Sequence, residues 1–555
     1  MAITGPTPSN SEHTTPNPAQ ARLPKLTQEF INKNYPHELS LVHVDVLTRH
    51  GERTPVLNVF AKISPKYWNF CKTGNQLHAD FKKIAGIYSD ASTADNNAGP
   101  PDSTKQWADR MFRHEESRVK TVFGIDDKEA QQHTNDKSQL SSATCGFGQL
   151  TDVGRESMTA LGQHLRKLYV ETLGLVQPTP QPGIHGPTDE VYLRSTSFSR
   201  AFESLQHTLG GLYSSATEQL PLFQVNVRPT SRDNLIVNFD CKNMVRLFTK
   251  FNLKVKELAA VEYDALYSDL LKVDGLREYY ESHPKSIKGP TAIYAWDTVA
   301  SMRAHGIPLP KVVDDTLIAR ISQMSAVEYA HSLWKSTALT RMQSGPLIHE
   351  LVGNMVGAVE ADRAGSFNNN GLAKMGIYSG HDTTIGPLLA AFGKRLDDYK
   401  QQNEDINSIG WVPYASSLRI ELLKDNKTPY PSIRPAWEDD QAYHSEDLSM
   451  VPFSKRVRPI NVPDSLYRWS PNKPRSGSKA SFNPRATRDY YVRVWYNDHT
   501  LQLPACADPG AHHPKLGTTM CTLDGFFKQV ARFVPNEEET LRECLMPAEN
   551  ASILD

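Results

Sequence analysis

Two arginines flank a histidine in the segment Arg49–Arg53, and these residue types together suit chemistry on a bound anion. The guanidinium groups of Arg49 and Arg53 can each hold phosphate or carboxylate oxygens through several hydrogen bonds. The imidazole of His50 can act as a nucleophile near neutral pH. Gly51 has no Cβ, so the backbone can approach a ligand closely at this point. The segment therefore predicts an anion site that contains a nucleophile.

The residues before this segment indicate how it is positioned. The run Leu41–Thr48 is apolar and rich in β-branched residues, which is typical of a buried strand. Gly51 and Pro55 break the pattern, so the arginines and the histidine are expected on a loop at the carboxyl end of that strand. Open α/β sheets bind their ligands at this end.

Two later segments repeat this arrangement of a strand, polar residues and a helix. Val191–Thr196 reads as a short strand that contains Arg194, and the helix that follows it is expected to end at Gly210. Lys374–Ser379 reads as another strand, and it runs into His381 and Asp382 just before a helix. The unpaired N–H groups of a helix N-terminus favour an anion at that place.

The heptapeptide Arg49–Pro55, R-H-G-E-R-T-P, resembles the signature of the histidine acid phosphatases, the acid phosphatase and phytase branch of the histidine phosphatase superfamily. The R-S-T segment that begins at Arg194 and the His381-Asp382 pair follow in the order found in that family. The resemblance extends in motif order from about Leu41 to Cys544, with long unmatched intervals.

The resemblance implies hydrolysis of phosphate monoesters in two steps. His50 would attack phosphorus and become a transient phosphohistidine, while Asp382 would protonate the leaving oxygen and then activate water. The resemblance assigns the binding of the phosphoryl oxygens to four groups: Arg49, Arg53, Arg194 and His381. Arg200 is instead expected to stabilise the structure through an ion pair. A protonated Asp382 predicts an acidic pH optimum, and neither a metal nor another cofactor is expected.

The sequence predicts an α/β protein with a central mixed, largely parallel sheet flanked by helices, and an inserted, mainly helical cap. Helical periodicity in Val255–Leu271, Val313–Trp334 and Ile348–Val359 supports the cap. The predicted divisions are a disordered segment at residues 1–38, a core at 39–215 and 371–545, a cap at 216–370 and a polar insertion at 425–488. The basic part of that insertion, residues 455–488, is either a solvated excursion or a docking surface for an anionic partner.

Composition excludes some classes of function. The chain has 555 residues with a formal net charge of -1, so no overall field directs it to nucleic acid or to a bulk anionic surface. No apolar run is long enough for a transmembrane helix. Met1–Leu23 lacks the apolar core of a secretory signal and the arginines of a mitochondrial presequence. An intracellular location, cytoplasmic or mitochondrial, is therefore favoured over secretion.

The six cysteines have no spacing that suggests zinc. By resemblance, Cys506 with Cys521 and Cys241 with Cys544 stand where family members form disulfides. The absence of a secretory signal argues for reduced thiols, so the sequence leaves the redox state open.

The substrate is the least determined property. Glu52 places an acid beside the expected site, which disfavours the most highly charged substrates. It thereby favours a general or lysophospholipid-type phosphatase over a phytase, unless Glu52 faces away or pairs with a lysine of the cap. Two other readings are a non-catalytic protein that binds phosphorylated ligands and a phosphomutase that passes the phosphoryl group from His50 to a second acceptor.

Overall fold

The protein is described by a computed structural model over residues 23–57, 62–76, 141–179, 190–214, 223–274, 277, 292–365, 373–393, 411–426, 489–534 and 543–545. Its centre is a nine-stranded mixed sheet with helices on both faces. Within these residues, no helix is both long enough and apolar enough to cross a bilayer.

The sheet joins a parallel half to an antiparallel half. Its strands are β1 Leu39–Arg49, β2 Val191–Ser195, β3 Val225–Val227, β4 Met375–Gly380, β5 Ser417–Asp425, β6 Tyr490–Tyr496, β7 His499–Thr500, β8 His512–His513 and β9 Gly517–Thr522. They lie in the order β3-β2-β4-β1-β5-β6-β9-β8, with β7 paired to β6. Parallel pairing is confined to β3, β2, β4 and β1, whereas β5 to β9 pair antiparallel. The predicted mixed sheet is confirmed, with a smaller parallel share than expected.

One helix precedes the first strand, and the others lie between and after the strands. They are α1 Gln28–Asn34, α2 Asp152–Leu165, α3 Ser199–Leu212, α4 Lys242–Leu258, α5 Ala260–Leu270, α6 Ala292–Ala304, α7 Asp315–Lys335, α8 Thr337–Ala364, α9 Asp382–Ala391 and α10 Leu523–Val530.

Side chains that alternate along the central strands feed two separate cores. Val44 and Val46 of β1 join a core with helices α2 and α3, whereas Leu47 joins a second core with α8, α9 and α10. The period of two in β1 sends successive residues to opposite faces. Both faces of the sheet are therefore buried, as its nearly continuous apolar sequence requires.

The chain between β3 and β4 is helical in its described part, as the periodicity predicted. The elements α4 to α7 form smaller cores of their own, one of them centred on Val299 and Ile321. Two elements inside the predicted cap range belong with the sheet instead. β3 pairs with β2, and α8 packs on the sheet through Leu351 and Val352. The three residues of β3 are too few to give a recognisable strand pattern. The apolar face of α8 could be buried equally well by the cap or by the sheet, so its sequence does not show which one it contacts.

The N-terminal segment differs from expectation. Residues 23–38 fall in the range predicted to be disordered, yet they contain α1, which Thr27 caps by accepting a hydrogen bond from Phe30 N. Phe30 lies 5.6 Å from the ring of Trp495, and Ile31 packs on the same core. Two apolar residues behind a good N-cap are enough to dock this short helix. Residues 1–22 lie outside the described part.

All six cysteines form disulfides: Cys71–Cys145, Cys241–Cys544 and Cys506–Cys521. The two pairings implied by the family resemblance are confirmed, and the first pairing is an addition to them. The polar insertion falls almost entirely outside the described residues, because residues 427–488 are not among them. Its role, including an anionic partner at residues 455–488, stays a prediction.

A close approach of two glycines fixes the loop after β1 against the N-terminus of α2. A Cβ on Gly51 would collide with the backbone of Gly154, and a Cβ on Gly154 would collide with the carbonyl of Glu52. Thr151 N donates to Glu52 O at 3.0 Å across the same contact. The glycines therefore allow the backbones of the loop and the helix to touch directly.

Candidate active site

The parallel half of the sheet brings the predicted site segments together. β1 and β4 are neighbours, with Arg49 opposite Gly380, so that His50 and His381 both begin the loops at the carboxyl edge. His50 N donates to Gly380 O at 3.0 Å. β2 lies on the other side of β4, and Thr196 N donates to Ser379 O at 3.2 Å. Three chain segments that are far apart in sequence thus meet at one edge.

His50 is held as a neutral imidazole with one nitrogen available. Its Nδ1 lies 2.9 Å from the carbonyl of Gly51, and a carbonyl can only accept, so Nδ1 carries the proton. The lone pair is then on Nε2. Burial, together with the charges of Arg200 and Arg49, lowers the pKa of His50 well below its usual range. A buried neutral imidazole is the state that a nucleophile needs.

His381 lies beside His50, with ring centroids 5.5 Å apart. Its Nε2 is 3.0 Å from the hydroxyl of Thr196, and its backbone N donates to Thr384 Oγ1 at 2.9 Å. Burial and the charge of Arg200 lower the pKa of His381 well below its usual value. The imidazole is therefore also neutral and sits at the N-terminus of α9, where the helix dipole favours an anion.

Asp382 is the first residue of α9 and lies against the arginine group. Its Oδ2 is 3.0 Å from Arg49 Nη2 and accepts a 2.8 Å hydrogen bond from Trp411 Nε1. Burial acts to raise the pKa of Asp382, but Arg49 and Arg53 outweigh it and the pKa lies below its ordinary value. In the free site Asp382 is thus a carboxylate that compensates part of the arginine charge.

Arg53 is paired with a residue from the cap helix α6. Its Nη2 lies 2.7 Å from Asp297 Oδ1, and Asp297 Oδ2 accepts from Val56 N at 2.8 Å. Burial opposes the charge of Arg53, but Asp297 prevails and raises its pKa. The guanidinium carbons of Arg49 and Arg53 also lie 4.1 and 5.6 Å from the ring centroid of Tyr414.

Arg200, in the first turn of α3, is the third arginine of this group. Its charge is, after burial, the leading cause of the lowered pKa values of both His50 and His381. Burial and the charge of Arg53 lower the pKa of Arg200 itself to about 9. Among the described residues no carboxylate lies within ion-pair distance of Arg200, so the expected structural ion pair is absent there.

Arg194 is directed away from this group. It is completely buried, its Nη1 contacts Glu350 at 2.8 Å and its Nη2 contacts Asp233 at 2.6 Å. The phosphate-binding role predicted for Arg194 therefore needs correction, because both terminal nitrogens are already engaged by carboxylates. Arg194 lies inside strand β2, so its side chain follows the alternation of the strand, whereas Arg200 begins the helix that faces the site.

A cavity of about 770 Å³ opens from the arginine group toward the cap. Its charged lining residues are Arg49, Arg53, Arg303, Glu52, Asp297 and Asp382. The rest of its wall is mainly aromatic and aliphatic, with contributions from Val237, Phe239, Met244, Val245, Phe248, Ile293, Tyr294, Trp296, Tyr329, Trp411 and Tyr414. Glu52 is thus placed on the cavity wall, as one of the two readings of the sequence expected. In the described ranges no group of three or more His, Cys, Asp or Glu side chains could hold a metal ion.

Several site residues were not found by sequence reasoning. Asp297 and Tyr414 carry no local signal, since neither stands at the end of a β-strand and their roles depend on how the cap folds over the sheet. Trp411 lies before β5, outside the three segments that the sequence singled out. Arg200 had a detectable signal, because it lies in the first turn of a helix that follows a site strand.

Several known proteins are similar to this chain in sequence or in fold. A probable acid phosphatase of Schizosaccharomyces pombe is 27% identical over 515 residues, covering 92% of this chain and 95% of the relative. Human lysophosphatidic acid phosphatase type 6 is 28% identical over 331 residues, covering 59% of this chain and 68% of the relative. A crystal structure of Klebsiella phytase matches with a TM-score of 0.46 and 12% identity, over 92% of this chain and 99% of that one.

The family itself is identified by a match over most of the chain. Residues 40–436 match the pattern described as histidine phosphatase superfamily (branch 2), and this range contains the segments that supply His50, Arg200 and Asp382. The chain belongs to branch 2 of the histidine phosphatase superfamily and is a phosphoric monoester hydrolase of the histidine acid phosphatase type.

Proposed function

We propose that this enzyme hydrolyses phosphomonoesters that combine one phosphate with an apolar body, and that His50 carries the phosphoryl group between the two steps. The observation that carries this proposal is the pairing of a buried arginine and histidine group with a large, mainly apolar cavity. The name of the human relative, lysophosphatidic acid phosphatase, supports the same substrate class.

In the first step Nε2 of His50 attacks phosphorus and the ester P–O bond breaks. Arg49, Arg53 and Arg200 spread the charge of the phosphoryl oxygens, and His381 and the α9 N-terminus add hydrogen-bond donors. Arg200 replaces Arg194 in this proposal because it lies beside His50. The leaving oxygen takes its proton from Asp382. In the second step the Asp382 carboxylate removes a proton from the water that cleaves the P–N bond.

Substrate binding prepares Asp382 for the first step. In the free site Arg49 holds Asp382 as a carboxylate at 3.0 Å. A dianionic phosphoryl group attracts the same arginines and repels the neighbouring carboxylate, so binding raises the pKa of Asp382 and favours its protonation. Because the starting pKa is low, this mechanism agrees with the acidic optimum expected from the sequence.

Two arginine variants separate the two candidate phosphate ligands. Arg200→Gln should lower kcat/KM by about 100- to 1,000-fold, since it removes a donor to the developing charge. Orthophosphate should raise the Tm of the wild type but not that of Arg200→Gln. Arg194→Gln is the matched control: it should lower the Tm, because Asp233 loses its ion pair and Glu350 keeps only Arg228, yet keep the phosphate-induced rise. A phosphate response lost in Arg194→Gln and kept in Arg200→Gln would reverse the assignment.

Trp411→Phe tests the proton donor. Loss of the 2.8 Å hydrogen bond removes a stabilising contact to the carboxylate and raises the pKa of Asp382. The group must be protonated in the first step, so the alkaline limb of the kcat/KM profile should move to higher pH, by about one unit. The wild type and Trp411→Phe should be measured with the same aryl phosphate, so that the ionisation of the substrate affects both profiles equally. A limb that stays in place or moves to lower pH would contradict the role of Asp382.

The covalent intermediate can be tested by denaturing the enzyme in alkali during turnover of a ³²P-labelled ester, since alkali preserves the P–N bond. With an aryl ester, whose leaving oxygen needs little protonation, label should appear on His50 in the wild type and accumulate in Asp382→Asn, which activates water poorly. His50→Ala should be unlabelled and inactive. Turnover without label on His50 would refute the mechanism. Binding of the ester without turnover would support the non-catalytic reading. Transfer of label to a second alcohol rather than to water would indicate a phosphomutase.

The lining of the cavity favours a single phosphate with an apolar body. Beyond the phosphate-binding arginines, Arg303 is the remaining cation among the described lining residues, whereas Glu52 and Asp297 add negative charge. A ring with several phosphates would find few partners there and would be repelled by the two acids. Apolar walls instead gain free energy when they bury methylene groups, about 0.8 kcal/mol for each group.

A series of n-alkyl phosphates measures this preference. The value of kcat/KM should rise about threefold to fourfold per methylene from butyl to octyl phosphate, at concentrations below micelle formation. Phe248→Ser, which places a polar group on the wall, should flatten the rise while leaving butyl phosphate nearly unaffected. A flat series in the wild type, together with faster hydrolysis of myo-inositol hexakisphosphate, would favour the phytase alternative.

A further inference from the structure

We propose that helix α4 docks the enzyme on anionic lipid bilayers, with the mouth of the substrate cavity turned toward the membrane. This inference rests on the proposed function, because a single-chain lipid phosphate is presented to an enzyme mainly at a bilayer surface. It adds a site outside the catalytic group.

Helix α4 carries a row of basic residues along one face. Lys242, Arg246, Lys250 and Lys254 follow one another at intervals of four, and residues at this spacing lie one above the other on a helix. The three lysines are exposed and Arg246 is half-buried. Glu257, which lies 2.9 Å from Lys254, is an exposed acid on the same face. The described side chains of this face carry a net positive charge, although the whole chain is nearly neutral.

Apolar residues form a second row beside the basic one. Val245 is 39% exposed and Leu253 is 54% exposed, with Thr249 one turn from each. Phe239, three residues before the helix, is 76% exposed. Large exposed apolar side chains next to lysines are typical of a helix that lies in the plane of a membrane interface.

The apolar row is continuous with the substrate cavity. Phe239, Val245 and Thr249 line the cavity as well as the outer surface, so this part of α4 forms its rim. An open groove of about 500 Å³ runs along the outside of the helix, between basic Lys250 and apolar Leu253. Thr249 lines both this groove and the cavity, which places the groove beside the cavity mouth.

The combination of features favours a lipid surface over an acidic polypeptide. Lysines near an anionic bilayer gain attraction that falls away within a Debye length, so a local row suffices even when the net charge of the protein is close to zero. An acidic chain would satisfy the lysines but would leave Phe239 and Leu253 against water. A bilayer accommodates both rows at once.

Flotation with vesicles tests this proposal on the full chain. The wild type should float with vesicles of phosphatidylcholine containing about 30% phosphatidylserine, and not with phosphatidylcholine alone. The triple variant Lys242→Glu, Lys250→Glu, Lys254→Glu should bind at least about tenfold more weakly, since each lysine near the surface contributes to the attraction. The control Lys33→Glu, Lys515→Glu, Lys528→Glu makes the same change in net charge at exposed lysines of other elements and should bind within about twofold of the wild type.

Activity measurements distinguish failure of docking from failure of the proposed function. All three proteins should hydrolyse p-nitrophenyl phosphate at equal rates, which shows that they are folded. On lysophosphatidate held in anionic vesicles, the α4 variant should be slower by about the factor lost in binding. Equal flotation of the α4 variant and the wild type would overturn the docking proposal. An equal loss of vesicle binding in the α4 variant and in the control variant would also overturn it, because binding would then depend only on net charge. Docking without hydrolysis of lysophosphatidate would leave the surface intact and refute the substrate class.

Leu253→Ser separates the membrane from an acidic polypeptide. It keeps every charge and lies outside the cavity lining, so binding to anionic vesicles should fall severalfold while binding to a polyglutamate column stays the same. Tight binding to polyglutamate with unchanged vesicle binding in this variant would assign the face to an acidic protein partner and overturn the lipid proposal.

Discussion

Repulsion between like charges is the constraint around which this site is built. Arg49, Arg53 and Arg200 converge on two imidazoles in a buried space. Burial first, and then the charges of these arginines, lower the pKa values of His50, His381 and Arg200. Such an arrangement costs free energy unless anions offset it. Asp382 and Asp297 supply part of that compensation in the free protein. A phosphoryl group supplies the rest, so the energy of unrelieved repulsion becomes binding energy for substrate.

Backbone hydrogen bonds and close backbone packing set the positions of the segments that carry these groups. β1 and β4 place their carboxyl ends side by side, and the loop after β1 is fixed on both sides, by Gly380 and by the Gly51–Gly154 approach. A side chain of α3 adds to this support, because Gly51 N donates to Ser204 Oγ at 3.1 Å. The cap helix α6 contributes Asp297, which couples the arrangement of the cap to the charge balance of Arg53. The charge balance of the site therefore depends on residues of both the cap and the core.

The sequence was sufficient for the core of the site and insufficient for its periphery. Arg49, His50, Arg53, His381 and Asp382 were predicted, and the structure brings them together, because each stands in a local motif at a strand end or helix start. Arg194 was chosen over Arg200 because the motif alone does not show which way a side chain inside a strand points. Asp297 and the apolar cavity depend on contacts between distant helices, which no local pattern encodes. The same reason explains why α8 was assigned to the cap although it packs on the sheet.

The disulfide Cys241–Cys544 has a consequence for how the molecule comes apart. It joins the residue just before α4 to the C-terminal region across 303 positions of the chain. A cross-link that closes so long a loop removes many conformations from the denatured ensemble, and its entropic effect is on the order of several kcal/mol. The start of the helical segment above the pocket is also tethered covalently to the end of the chain. The disulfide therefore limits how far the N-terminal end of α4 can move from the C-terminal region. If the two separate, they stay at high effective concentration and can rejoin readily.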